Sequence, residues 1–162
     1  MKKLVAYYSF EGNTKFFAET IAKEIKADLL ELKPIKEIKT KGFLKFPVGG
    51  FQVVFGIKPK LQPFDINPQD YDVIFLGTPA WSLTYSPTMR SFLSKEKFEN
   101  KKVVLFCSRM TQKGRTFKAM KKKLKGNDIV DEFDLNEPLK NEKDEKEKMI
   151  KTWVKGLNKK LK

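Results

Sequence analysis

The sequence predicts an α/β domain of the doubly wound kind, a parallel sheet covered by helices on both faces. Three observations predict it. Five short apolar runs are spaced along the 162 residues, and amphipathic helical patterns lie between them. Loops of small and polar residues follow the first, third and fourth runs, where such folds keep their ligands. No repeat, low-complexity tract or linker divides residues 1–162, so the expectation is a single domain.

The first run, KLVAYY (3–8), is short, apolar and bounded by polar residues, as a buried strand requires. From Thr14 to about Lys26, the residues Phe17, Ala18, Ile21, Ala22 and Ile25 fall on one helical face. DLLELK (28–33) reads as the second strand, with Leu30 and Leu32 alternating against charged neighbours. Residues 34–70 are long for a connection and rich in phenylalanine and glycine; a helix across 44–55 is expected there. YDVIFLG (71–77) is the third strand, KVVLFC (102–107) the fourth and DIVDEFDL (128–135) the fifth. Helices are expected around 86–93 and 115–124. A last helix from about Asn141 sets Met149, Ile150, Trp153, Val154, Leu157 and Leu161 along one side.

Composition narrows the chemistry. There is no histidine, which excludes Ser-His-Asp and Cys-His catalysis and the common His-based zinc sites. The single cysteine, Cys107, makes neither an intrachain disulfide nor a multi-cysteine metal site and is expected to be buried in a strand. Chemistry would then come from a bound organic cofactor. No apolar run approaches the roughly 20 residues of a membrane span. The basic start MKK is followed by too few apolar residues for a secretory signal, so the expected location is cytoplasmic. The net charge of +14 is local: residues 33–60 contribute +6 and residues 113–125 contribute +7.

The loop SFEGNT (9–14) combines Ser9, Gly12, Asn13 and Thr14 with a carboxylate, Glu11. At the start of a helix this set can cradle a phosphate with neutral donors, since free N–H groups and the helix dipole favour an anion there. It can equally well only cap the helix. The P-loop and dinucleotide glycine patterns are absent. Farther on, Trp81 and Tyr85 stand among small residues after the most hydrophobic strand, either packed on a helix or offered to a flat ligand.

Taken together, YYSFEGNTKFFAETIA (7–22), GTPAWSLTYSP (77–87) and FCSRMTQKGRTFKAM (106–120) resemble the three cofactor loops of the flavodoxin family, in order and across the whole chain. The resemblance implies a five-stranded parallel sheet in the order 2-1-3-4-5 and one FMN held without a covalent bond. It places the phosphate on Ser9, Gly12, Asn13 and Thr14. Glu11 stands where the familiar pattern has threonine, so it would give only its backbone N–H while its carboxylate faces solvent or a lysine such as Lys15. Trp81 would stack on the flavin ring, with Tyr85 second. The backbone of Pro79, Ala80, Trp81 and Ser82 would face the N5 edge, where many flavodoxins have a glycine that this chain lacks. Ser108, Arg109 and the segment on to Gly114 would reach the pyrimidine edge, Arg109 favouring the reduced, anionic flavin if its side chain lies near N1.

The leading functional expectation is therefore a flavodoxin-type electron carrier, an oxidoreductase protein with no catalytic side chain of its own. Its basic balance points to an acidic redox partner, such as a ferredoxin-like or rubredoxin-like protein. An alternative is a flavin-dependent quinone or small-molecule reductase. A further alternative is a flavin-free basic module for nucleic acid or acidic partners; nucleic acid ranks last, because arginines are few and no aromatic RNA-binding motif occurs. If 33–60 and 113–125 lie on one sheet face, they form one broad basic surface. A receiver fold is excluded by the third strand ending FLGTP with no aspartate.

Overall fold

The structure is a computed structural model that describes residues 1–36, 50–51, 55–140 and 142–161. Five parallel strands form its sheet: β1 (Lys3–Tyr7), β2 (Asp28–Glu31), β3 (Val73–Trp81), β5 (Lys102–Arg109) and β6 (Asp128–Asn136). They lie in the order β2-β1-β3-β5-β6, which is the expected order with one strand inserted in the numbering. The insertion is β4 (Thr84–Tyr85), a two-residue strand that folds back antiparallel on the end of β3. Sequence reading treats that stretch as loop. Its hairpin turn, Ser82–Leu83, has φ of 46° and 63°. Two consecutive positive φ values are usually supplied by Asn-Gly or Asp-Gly, so the turn carries no sequence signal.

Alternation along the strands sorts the core into two layers. Val5, Tyr7, Val73, Phe75, Val104 and Phe106 face one side of the sheet, against helices α1 (Asn13–Ile25) and α4 (Lys143–Leu161). Leu4, Ala6, Ile74, Leu76, Leu105 and Cys107 face the other, against α2 (Pro87–Lys95) and α3 (Thr116–Lys123). On α4, Ile150, Val154, Leu157 and Leu161 are buried at helical spacing, and Trp153 packs 4.9 Å from the Phe133 ring. Met149 departs from the expected face: it is 43% exposed, one residue before Ile150 and so about 100° around the helix.

The expected helix at 44–55 lies largely outside the described residues. Within it Gly50 and Phe51 are helical, and Phe55 N–H donates to the Phe51 carbonyl. The single basic face expected of residues 33–60 and 113–125 falls partly outside them too. Leu61, Phe64 and Ile66 pack on the α2/α3 side. Among the described residues no helix is long and apolar enough to cross a membrane.

Two local features fix where the ligand loops begin. Ser86 caps α2 by accepting from Met89 N–H, with Pro87 at the first helical position. The Thr78 hydroxyl accepts from Ser86 N–H at 3.0 Å and lies 3.1 Å from its hydroxyl, so a buried polar pair ties the end of β3 to that helix. Cys107 is fully buried on β5, and burial, reinforced by the charge of Asp134, pushes its thiol up to about 12. Iodoacetamide at mildly alkaline pH is therefore expected to alkylate the folded chain only as fast as it unfolds, and to act rapidly in concentrated guanidinium; mass spectrometry reads both rates.

Candidate functional site

The loops after β1, β3 and β5 meet at one end of the sheet around a cavity of about 490 Å³, within the range of small-molecule sites. Its position is the crevice where the chain, having gone outward to β2, returns on the other side of β1 as β3. Every residue expected there lines the cavity except Gly12, Tyr85 and, at the end of the third loop, Lys113 and Gly114.

Gly12 stands at the cap of α1 with φ 88°, a conformation that favours glycine. Its N–H donates to Ser9 Oγ at 3.1 Å, which closes a tight turn. The hydroxyls of Thr14 and Ser108 lie 2.7 Å apart and buried, linking the first loop to the third. Asn13 accepts from Leu139 N–H at 3.0 Å, so the segment after β6 also closes on this loop.

Trp81 is partly buried and held edge-to-face by two rings, Phe10 at 5.5 Å and Tyr8 at 6.0 Å. It is a fixed aromatic wall. Tyr85 is not part of that wall. The β4 hairpin pairs it with Ala80 and carries it into the core, 4% exposed, with Arg90 5.7 Å above its ring. A stacking role for Tyr85 is corrected by that burial.

Arg109 is engaged rather than free to approach a ligand. Its Nε donates to Asp134 Oδ2 at 2.6 Å and its terminal nitrogen to the Thr111 carbonyl at 2.6 Å. Lys113 takes the other Asp134 oxygen at 2.7 Å. Burial alone would raise the Asp134 pKa, but the hydrogen bonds from Lys113 and Arg109 outweigh it and hold the carboxyl below its usual value. Two cations share one carboxylate, leaving a net positive charge on this wall.

Glu11 is exposed at the cavity edge, and Lys15 bridges to Glu31 and Glu19 at 3.9 and 4.0 Å. Sequence reading missed Phe10, Gly50, Leu83 and Glu137 in the lining. Phe10 sits within the quoted first loop at a position the motif leaves unspecified. Glu137 follows β6, and its N–H donates to the Arg109 carbonyl at 2.9 Å; no local pattern marks it. Its carboxylate pairs with Lys140 at 2.5 Å, and that hydrogen bond raises the lysine's pKa, with Glu11 contributing more weakly.

A flavodoxin family model matches residues 55–157. The chain belongs to the flavodoxin family. No curated protein matches it significantly. Among solved structures, a candidate flavoprotein from Bacteroides uniformis ATCC 8492 superimposes with a TM-score of 0.81 at 22% identity, covering 95% of this chain and 97% of that one. A flavoprotein from Lactobacillus acidophilus NCFM, solved in complex with FMN, gives 0.71 at 25% identity over 88% and 97%. Flavodoxin 2 from Bacillus cereus gives 0.62 at 19% identity over 99% of both chains.

Within this flavodoxin-family site, Asp134→Asn is expected to cost about 1–2 kcal/mol at neutral pH, because two charged hydrogen bonds weaken at partly exposed partners. The folded carboxyl titrates below its unfolded value of about 3.9, so its contribution is present above that pH. It is lost as pH falls through the folded-state pKa. Urea unfolding should therefore show the gap between the two proteins closing in acid.

Proposed function

We propose that this flavodoxin-family protein binds FMN non-covalently in the cavity and carries electrons between proteins. The observation that carries the reading is the meeting of three features in one cavity: a helix start with hydroxyl and amide groups, an ordered indole wall and a third polar loop. The donor set suits the group. Backbone N–H groups at the start of α1, with Ser9, Asn13 and Thr14, would hold a phosphate. Trp81 would cover a flat ring, and the Ser82–Leu83 and Ser108–Gln112 backbones would face its polar edge. The FMN complex of the Lactobacillus acidophilus relative supports the choice of cofactor.

When bound, the flavin supplies the redox chemistry. The chain's own residues do the rest. Trp81 and its supporting rings exclude water from one side. The Arg109–Asp134–Lys113 group contributes one net positive charge beside the ligand, an effect that salt reduces. Glu11 and Glu137 lie at the cavity edge, with Lys140 as a nearby countercharge.

The test is the absorption spectrum of the purified protein before and after adding FMN and removing the excess. Retained flavin bands with quenched fluorescence are expected; neither at micromolar FMN would refute the assignment. Trp81→Ala should weaken FMN about tenfold or more and restore part of the fluorescence, since a stacked aromatic contributes roughly 0.5–1.5 kcal/mol beyond its buried area.

A further inference from the structure

Residues 113–125, on and around α3, hold seven cations and no carboxylate. Lys118, Lys121 and Lys122 share one face of α3 at i, i+3, i+4 spacing, and Lys125 follows in the turn after the helix. With Lys113 they line a shallow cleft of about 460 Å³ between α3 and β6. Lys121 is balanced by Glu132 at 2.6 Å and Lys113 by Asp134 at 2.7 Å. Lys118, Lys122 and Lys125 are exposed and have no salt bridge among the described residues. The other face of the sheet is different. On α4 the seven lysines are interspersed with Asp144, Glu145 and Glu147, and Lys151, Lys155 and Lys160 bridge to carboxylates, while Lys143, Lys146, Lys148 and Lys159 have no salt bridge among the described residues.

This basic face is joined to the cavity. Arg115 N–H, just before α3, donates to the Leu83 carbonyl at 2.7 Å, and Gly114 lies directly against Leu83. Leu83 and Met110 line the cavity and are 53% and 44% exposed. An apolar rim at a ligand cavity, continuous with unpaired cations, has the composition of a small transient interface.

We propose that the α3 lysine face and the Leu83–Met110 rim form one docking surface for an acidic protein seated over the cavity mouth. The Glu132 carboxylate in the cleft selects protein over nucleic acid. A phosphate backbone running along the cleft would meet it, whereas a folded partner can place its own carboxylates only against the outer lysines. The rim also offers two flexible apolar side chains, where single-stranded nucleic acid is held by aromatic stacking platforms. The proposal rests on the flavin reading for what the partner exchanges, and not for whether it docks.

The experiment titrates the ¹⁵N-labelled, FMN-supplemented chain with a small acidic [2Fe–2S] ferredoxin. Resonances on α3 and at Leu83 and Met110 are expected to shift or broaden saturably. Binding should weaken steeply between about 0.01 and 0.15 M salt, as the screening length falls from roughly 30 to 8 Å. Lys118→Glu/Lys122→Glu/Lys125→Glu, which spares the Lys121–Glu132 bridge, should weaken binding about tenfold or more. Lys146→Glu/Lys148→Glu/Lys159→Glu on α4 makes the same charge change and should leave it within about twofold. Absence of saturable binding at low salt overturns the proposal, and so does an equal loss in the α4 variant. A duplex oligonucleotide that displaces the ferredoxin and binds more tightly at the higher salt also overturns it, in favour of nucleic acid. Repeating the titration without FMN separates the two readings: docking by a chain that retains no flavin sustains this proposal and refutes the cofactor. Flavin retention without docking does the reverse.

Discussion

Gly77→Ala is expected to lower the melting temperature by about 6–12 °C, from a loss of roughly 3 kcal/mol. Gly77 lies in the middle of the sheet, opposite Tyr7 on β1 and Phe106 on β5. The Phe106 ring occupies the space a side chain would take: an added Cβ would stand 2.1 Å from its Cζ. Phe106 cannot simply move aside. It is fully buried, and its ring centroid is 4.9 Å from that of Phe17 on α1. Interiors are packed too closely to absorb an extra methyl at that distance. Gly77 also immediately precedes Thr78 and Pro79, so the strain would reach the ligand end of β3. Thermal unfolding followed by circular dichroism gives the size of the effect. A double-variant cycle with Phe106→Leu gives its cause, because removing ring atoms should restore more than 1 kcal/mol of the loss, about the coupling that touching residues show. An unchanged melting temperature in the single variant would mean that Phe106 does not occupy this space.

Gly114→Ala should damage both stability and the site. Its φ of 54° already disfavours a side chain. An added Cβ would meet Leu83 Cβ at 2.4 Å and the Leu83 carbonyl oxygen at 2.5 Å. No rotamer change relieves a clash with backbone, so the Ser82–Leu83 hairpin must shift. That hairpin lines the cavity and is itself held at two positive φ values. The expected losses are about 2–4 kcal/mol in stability and about tenfold or more in FMN affinity. Gly126→Ala is the matched control. Its φ is 89° but an added Cβ meets nothing within 4 Å, so it should show the conformational cost alone and no effect on FMN. If both variants lose the same stability and bind FMN alike, the Leu83 contact has no energetic weight.

The two glycines mark the boundary between what can be read locally and what cannot. Glycine in a loop such as QKGRT announces a turn, but nothing near Gly114 in sequence names Leu83 as the atom set pressing on it. Gly77 reads as the end of a strand, and only the pairing of β3 with β5 brings the Phe106 ring across it. Tyr85 and Arg109 show the same limit at the site. Sequence placed both in the correct loops; the β4 hairpin turned Tyr85 inward, and Asp134, 25 residues after Arg109, engaged the guanidinium.

By itself the sequence determined the α/β class, the five parallel strands and the three loops that surround the cavity. These depend on apolar periodicity and on small polar residues at strand ends, both written within a few neighbouring positions. Tertiary structure alone decided which side chains in those loops face the cavity, which are paired and which glycines cannot change. It also decided that the stretch around α3 has no carboxylate of its own and borrows Glu132 and Asp134 from β6. Such facts depend on atoms brought together from distant parts of the chain, and local periodicity carries no information about their directions.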